Sequence, residues 1–412
     1  MMRRRKLALG AVLAVAVVSL GVGQAALDAA ARTHTVSAPR FEVDPMWPKP
    51  LPNHWVLGNV IGVGVDSKDH IFIVHRNDTF DARTEIGAAA NPPISECCVP
   101  APPVLEFDPA GNLIKAWGGP AKGYDWPSSN HGISLDDKDN VWIGGNGACP
   151  PPGTPGCPAG TIDSFILKFT HDGKFLMEIG APHETVNSNS TTHFGRVAKI
   201  SFDVKANEAF IADGYGNKRV AVIDMDNGRI KRFWGAYGHV PSDSNLGPYD
   251  PNAPLAQQFR NPVHCAEPSN DGLLYVCDRV NDRIQVFKKD GSFVKEKTVA
   301  PATRGTGSVW DIAFSRDPQQ KYLYVADGMN MKVHILDRQS LDELTSFGDG
   351  GRQPGEFYAV HSIATDSKGN IYTVETYEGK RVQKFLYKGV GPIASKDQGV
   401  VWPQPGARGT KR

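Results

Sequence analysis

The sequence predicts an all-β protein, a six-bladed β-propeller with four-stranded antiparallel blades around a central channel. Three observations point there. One hairpin pattern recurs six times, apolar residues alternate along it with Gly and Asp at the turns, and no long stretch carries a 3.6-residue apolar period.

The hairpins follow in order, each a strand, a tight turn and a returning strand. "VGVDSKDHIFIVHR" and "ISLDDKDNVWIGG" open blades one and two. "ISFDVKANEAFIADG", "AEPSNDGLLYVCDR", "IAFSRDPQQKYLYVADG" and "IATDSKGNIYTVET" open blades three to six. Second hairpins such as "VLEFDPAGNLIKAWG", "FILKFTHDGKFLMEIG" and "RIQVFKKDGSFVKE" bring the strands to four per repeat. "PRFEVDP", around Phe41, is placed as the last outer strand, closing the ring. The chain then divides into a leader at 1–31, a lead-in at 32–57, the propeller at 58–390 and a tail at 391–412.

With 412 residues, 40% hydrophobic and 22% charged, the composition is that of a globular protein. Arg3, Arg4, Arg5 and Lys6 contribute four of the positives behind a net charge of +1. The remainder offers no basic surface for nucleic acid or for a polybasic membrane contact. The apolar run "LALGAVLAVAVVSLGVG" and then the small residues of "QAALDAAA" follow those four cations. That order is the one found in secretory signal peptides, with cleavage expected between Gly23 and Ala31. A secreted or periplasmic monomer without stable membrane association is expected. The six cysteines, Cys97, Cys98, Cys149, Cys157, Cys265 and Cys277, lack the CxxC spacing of zinc ribbons, so disulfides are expected.

Aligned on the apolar pattern, the six blades share one slot at the start of the innermost strand. It holds Ile61, His131, Ala198, His264, Trp310 and His361. Histidine alternates with an apolar residue. Alternate blades of a six-fold ring are related by a three-fold axis, so the three imidazoles should converge on the channel. Three protein nitrogens with a position left open form the ligand set of a catalytic zinc. A lone strand histidine is more often a hydrogen-bonded core residue, but three alternating ones favour the metal.

The same strand directions put the strand-two-to-three connections on the histidine face and the tight turns on the other. The long insertions at 77–103 and 146–162 are both such connections, and they carry Cys97, Cys98, Cys149 and Cys157. Bridges within or between them would stiffen a roof over the channel. Cys265 and Cys277 flank the turn "SNDG" and could face each other across one hairpin.

Arg76, Tyr215 and Arg279 end second strands on that face. A phenol at a channel rim can serve as a base, and arginines there can pair a substrate carboxylate. The alternative is that Tyr215 caps a repeated scaffold of Asp213, Asn217 and Arg219. Asp278, Asn281 and Arg283 repeat it, as do Asp327, Asn330 and Lys332. Those repeats carry Val280 and Met329 at the equivalent position, so the scaffold does not require tyrosine.

"FIVHR", "NHGISLDDKDNVWI", "ADGYGNKRV", "VHCAEPSNDGLLYVCDRVNDRIQVF" and "VHSIATDSKGNIY" together resemble peptidyl-α-hydroxyglycine α-amidating lyase and its bacterial NHL-like propeller relatives. The resemblance runs from about Gly58 to Phe385. It implies zinc on His131, His264 and His361, Tyr215 as the base, and Arg76 and Arg279 as active-site arginines. The family pattern is broken by Ala359, where it has methionine, and by Gly216, where it has a half-cystine. It is broken again by Ser362, where it has an aspartate that helps bind a structural Ca2+.

The leading expectation is therefore a zinc lyase cleaving the C–N bond of a carbinolamide, a small or peptide-derived substrate with a carboxylate. A zinc hydrolase of esters or lactones would use the same open position. The non-enzyme alternative is an NHL-type binding scaffold. In the stretch "FWGAYG", Trp234 and Tyr237 would be either its binding aromatics or ordinary outer-strand packing.

Overall fold

The computed structural model describes residues 36–403 apart from 91, 93, 150–158, 185 and 186. The expected signal peptide and Cys157 lie outside the described residues. Six four-stranded antiparallel sheets form the blades of a propeller. Their inner strands are Asn59–Val65, Asn130–Leu135, Lys199–Asp203, Val263–Pro268, Asp311–Phe314 and Val360–Thr365. Among the described residues, no helix is long and apolar enough to cross a membrane.

Each blade places one aromatic residue at the same point of its second strand: Phe72, Trp142, Phe210, Tyr275, Tyr324 and Tyr372. All six are buried. They fill the wedge between neighbouring blades, where an alternating strand must present its larger side chains. Trp234 is buried as well, and the Tyr237 hydroxyl donates to Glu296 at 2.9 Å while accepting from Arg283. Both belong to the packing of outer strands and not to an exposed binding surface.

Blade six is built from both ends of the described chain. Ser37–Val43 pairs antiparallel with Val382–Pro392, whose other neighbour is Ile371–Glu375. At the turns, the Ser367 hydroxyl donates to Asp69 at 2.6 Å and joins blade six to blade one. Ser67 makes the same bond to Asp139, joining blades one and two.

The scaffold after the second strands of blades three and four is a buried ion pair. Asp213 accepts from Arg219 and Asn217, both at 2.8 Å, and Asp278 accepts from Arg283 and Asn281, both at 2.7 Å. Blade five differs from the sequence expectation. Lys332 turns outward to Asp397, and His334 takes its place on Asp327 at 3.0 Å.

Cys265 and Cys277 are direct register partners and are disulfide-bonded. Cys97 is bonded to its neighbour Cys98, which excludes a bridge from either to the second long loop. Cys149 is also disulfide-bonded. The first loop is tied down instead by backbone, through the short parallel pairing of Val99–Pro100 with Trp55–Val56.

Candidate metal centre

His131, His264 and His361 come together, buried, with one potential ligand atom each inside a 4.8 Å cluster. The strand carrying each of them slips register at the slot: between His131 and Ile133, between Val263 and Cys265, and between Val360 and Ser362. An extra residue of this kind re-aims a side chain, here toward the channel axis.

The apolar members of the slot orient the histidines. His131 Nδ1 donates to the Ala198 carbonyl at 2.7 Å, His264 Nδ1 to the Trp310 carbonyl, and His361 Nδ1 to the Ile61 carbonyl at 2.6 Å. A carbonyl can only accept, so each Nδ1 carries the proton and each Nε2 keeps its lone pair. Burial holds all three imidazoles below the ordinary histidine pKa, His361 down to about 3. The Arg279 guanidinium adds to the effect at all three, and that of Arg76 at His131 and His361. Three neutral imidazoles with locked tautomers and converging lone pairs fit a divalent metal.

Tyr215 reaches the same point. Its hydroxyl lies 3.0 Å from His131 Nε2 and 3.0 Å from His264 Nε2. Its backbone is clamped by Arg196, whose carbonyl accepts from Tyr215 N and whose guanidinium donates to Tyr215 O at 2.6 Å. Gly214 makes the approach possible, because a Cβ there would stand 2.0 Å from the carbonyl oxygen of Val263, the residue before His264. Arg279 Nη1 donates to the phenol at 3.3 Å, and its guanidinium lies 4.5 Å from the Trp310 ring centre. Arg279 Nε is buried with no hydrogen-bond partner. Arg76 is held at the rim by the Asn130 carbonyl at 3.2 Å and by Asn146 at 2.7 Å.

Sequence reasoning overlooked Arg196, Asn146 and the group beneath the histidines. There Lys199 Nζ lies 2.7 Å from Asp311 and 3.0 Å from Glu267, and Ser362 donates to Asp311 at 2.6 Å. At Ser362, where the resemblance implies a calcium-binding aspartate, the neighbouring Asp311 already carries an ammonium group. A calcium ion placed there would meet that positive charge. Lys199 lines both a void of ≈ 10 Å³ under the histidines and a cavity of ≈ 540 Å³ at the far mouth of the channel. The void has room for about one water. Anything larger than a water could therefore reach the histidines only from the Tyr215 side, although the larger cavity lies at the other end.

No protein-family model matches the chain. Its sequence is similar to amidating lyases and to NHL-repeat proteins. It is 25% identical to peptidyl-glycine alpha-amidating monooxygenase B of Xenopus laevis over 353 residues, 80% of this chain and 34% of that protein. It is 24% identical to peptidyl-alpha-hydroxyglycine alpha-amidating lyase 1 of Drosophila melanogaster over 383 residues, 85% of this chain and 61% of that one. NHL repeat-containing protein 3 of Mus musculus is 22% identical over 84% of each chain. The chain thus spans only part of the first two relatives and most of the third.

Proposed function

We propose that the protein is a zinc-dependent lyase that cleaves the C–N bond of a carbinolamide bearing a carboxylate. The observation that carries this reading is the Tyr215 hydroxyl, 3.0 Å from two of three convergent histidine nitrogens and within reach of Arg279. Zinc on His131, His264 and His361 would supply a Lewis acid for the substrate hydroxyl.

The chain's own residues account for the rest. Tyr215 takes the hydroxyl proton as the carbonyl forms, and the C–N bond breaks with its electron pair moving to nitrogen. A proton returned from Tyr215 to that nitrogen completes the amide and leaves an aldehyde. Arg279 faces the phenol oxygen while charge develops there. Arg76 and the unpartnered Nε edge of Arg279 hold the carboxylate. The name of the fly relative, a peptidyl-alpha-hydroxyglycine alpha-amidating lyase, supports this choice of substrate.

The disulfide-bonded cysteines support a further part of the proposal, that the protein works in an oxidising compartment. A non-catalytic scaffold is the second reading, supported by the match to NHL repeat-containing protein 3 over most of both chains.

The test is turnover of peptidyl-α-hydroxyglycine compounds, read as released glyoxylate, with simple esters run alongside. Tyr215→Phe should keep its metal and lose about 10²–10⁴-fold in rate. Turnover of esters alone would replace the lyase with a hydrolase. Inactivity on both, with no bound metal, would leave the scaffold.

A further inference from the structure

Blades one, two and six share a turn scaffold, so blades two and six serve as internal controls for blade one. In each, an aspartate heads the first hairpin and its Oδ1 accepts from the backbone N–H two and four residues on. The distances are 2.8 and 2.7 Å for Asp66, 3.0 and 2.9 Å for Asp136, and 3.0 and 2.9 Å for Asp366.

The other carboxylate oxygen is treated differently. Asp136 Oδ2 accepts from Asn140 and Trp142, both at 3.0 Å, with the Lys168 ammonium 3.7 Å away. Asp366 Oδ2 accepts from Asn370 at 2.8 Å and Tyr372 at 3.1 Å, and Lys384 lies over the Tyr372 ring. Blade one departs at all three places. His70 stands for the asparagine, Phe72 for the donor aromatic and Glu106 for the lysine.

Two buried carboxylates thus sit where the other two blades have one carboxylate and, on the neighbouring strand, a lysine. The Asp66 side chain is 0% exposed and that of Glu106 is 3% exposed. His171, from the outer turn of blade two, reaches across with Nε2 at 2.9 Å from Asp66 Oδ2 and 3.7 Å from Glu106 Oε1. His70 Nδ1 lies 2.8 Å from Glu106 Oε1 and 3.5 Å from Asp66 Oδ2. Ligand bonds of 2.0–2.1 Å give a tetrahedron with edges of about 3.3 Å, a length these separations bracket. Both imidazoles are partly open to solvent, which leaves an ion a way in. The Phe72 ring stands edge-on to His171 with centroids 5.0 Å apart and fixes its plane.

We propose that Asp66, His70, Glu106 and His171 form a second divalent-metal site, suited to a first-row transition ion such as zinc. Two carboxylates neutralise the ion, and two imidazoles favour such a metal over magnesium or calcium. Four protein ligands close a tetrahedral sphere, so the site is structural. It lies on the tight-turn face, away from Tyr215, and clamps blade one to blade two.

Metal content of the folded full-length protein tests this after exposure to zinc and dialysis. Wild type should hold two equivalents per chain. Glu106→Lys, which restores the residue type of blades two and six, should hold one. His264→Ala should also hold one, and the combined variant none. Added zinc should raise the melting temperature of His264→Ala but not that of the combined variant. Equal metal content in wild type and Glu106→Lys overturns the proposal, and so does a His264→Ala protein whose melting temperature ignores zinc.

Discussion

Nδ1 of His361 lies 2.6 Å from the carbonyl oxygen of Ile61, across 300 residues of sequence. The last histidine of the cluster is thus oriented by the first blade, as His131 is by blade three and His264 by blade five. These bonds need no metal. A chelator should therefore abolish activity while leaving the β-sheet circular-dichroism spectrum unchanged, and added zinc should restore the rate. Loss of the spectrum together with the metal would show that the ion holds the ring together.

The two rim arginines should separate kinetically. Arg279 touches Tyr215 and has a buried Nε without a partner, whereas Arg76 is already committed to Asn130 and Asn146. Arg279→Ala should lower kcat and raise KM, with kcat/KM falling about 10–100-fold for one lost charged hydrogen bond. Arg279→Lys should recover little, because an ammonium cannot offer the planar fork. Arg76→Ala should act mainly through KM. Steady-state kinetics on a carboxylate-bearing substrate checks both.

His334 gives the ring an alkaline weak point. Burial opposes its charge, yet hydrogen bonds to Asp327 and Glu343 raise its pKa to about 9. A raised folded-state pKa means stability that is complete below the unfolded value of about 6.5 and lost as pH rises through about 9. The loss should be on the order of 3 kcal/mol. Urea titrations at pH 6 and pH 10 should show this difference in wild type and a much smaller one in His334→Gln.

Cys265 and Cys277 close a loop of 12 residues in sequence separation within one hairpin of blade four. Replacing both with alanine should cost up to about 3 kcal/mol in the chain-entropy account. Their positions beside His264 and Asp278 make metal content a useful control. It should stay at the wild-type value while the denaturant midpoint falls.

The blades were legible because alternation and turn chemistry act locally. The slot was legible because six repeats could be laid over one another, so that His131, His264 and His361 stood out against Ile61, Ala198 and Trp310. Contacts that depend on distant segments were not. Arg196 clamps Tyr215 from another connection, and Lys199 meets Asp311 across 112 residues. Neither has a motif of its own. Cys97 and Cys98 could have bridged a neighbouring loop on sequence grounds, whereas in the structure they bond to each other. His334 replaced Lys332 on Asp327 because a strand residue two places on points to the same side.

The outer strand of blade six is Ser37–Val43, while its other strands lie between Val360 and Pro392. A chain emerging from the ribosome must therefore hold one unpaired strand in reserve until all the strands of the other five blades have been made. His131 and His264 are synthesised long before His361, and the Ile61 carbonyl waits for its partner over the same interval. Completion of the three-histidine cluster and closure of the circle are thus late events that coincide. A prematurely ended chain would have neither a complete ring nor a complete centre, so the order of synthesis itself guards against a half-built protein that binds metal with three histidines.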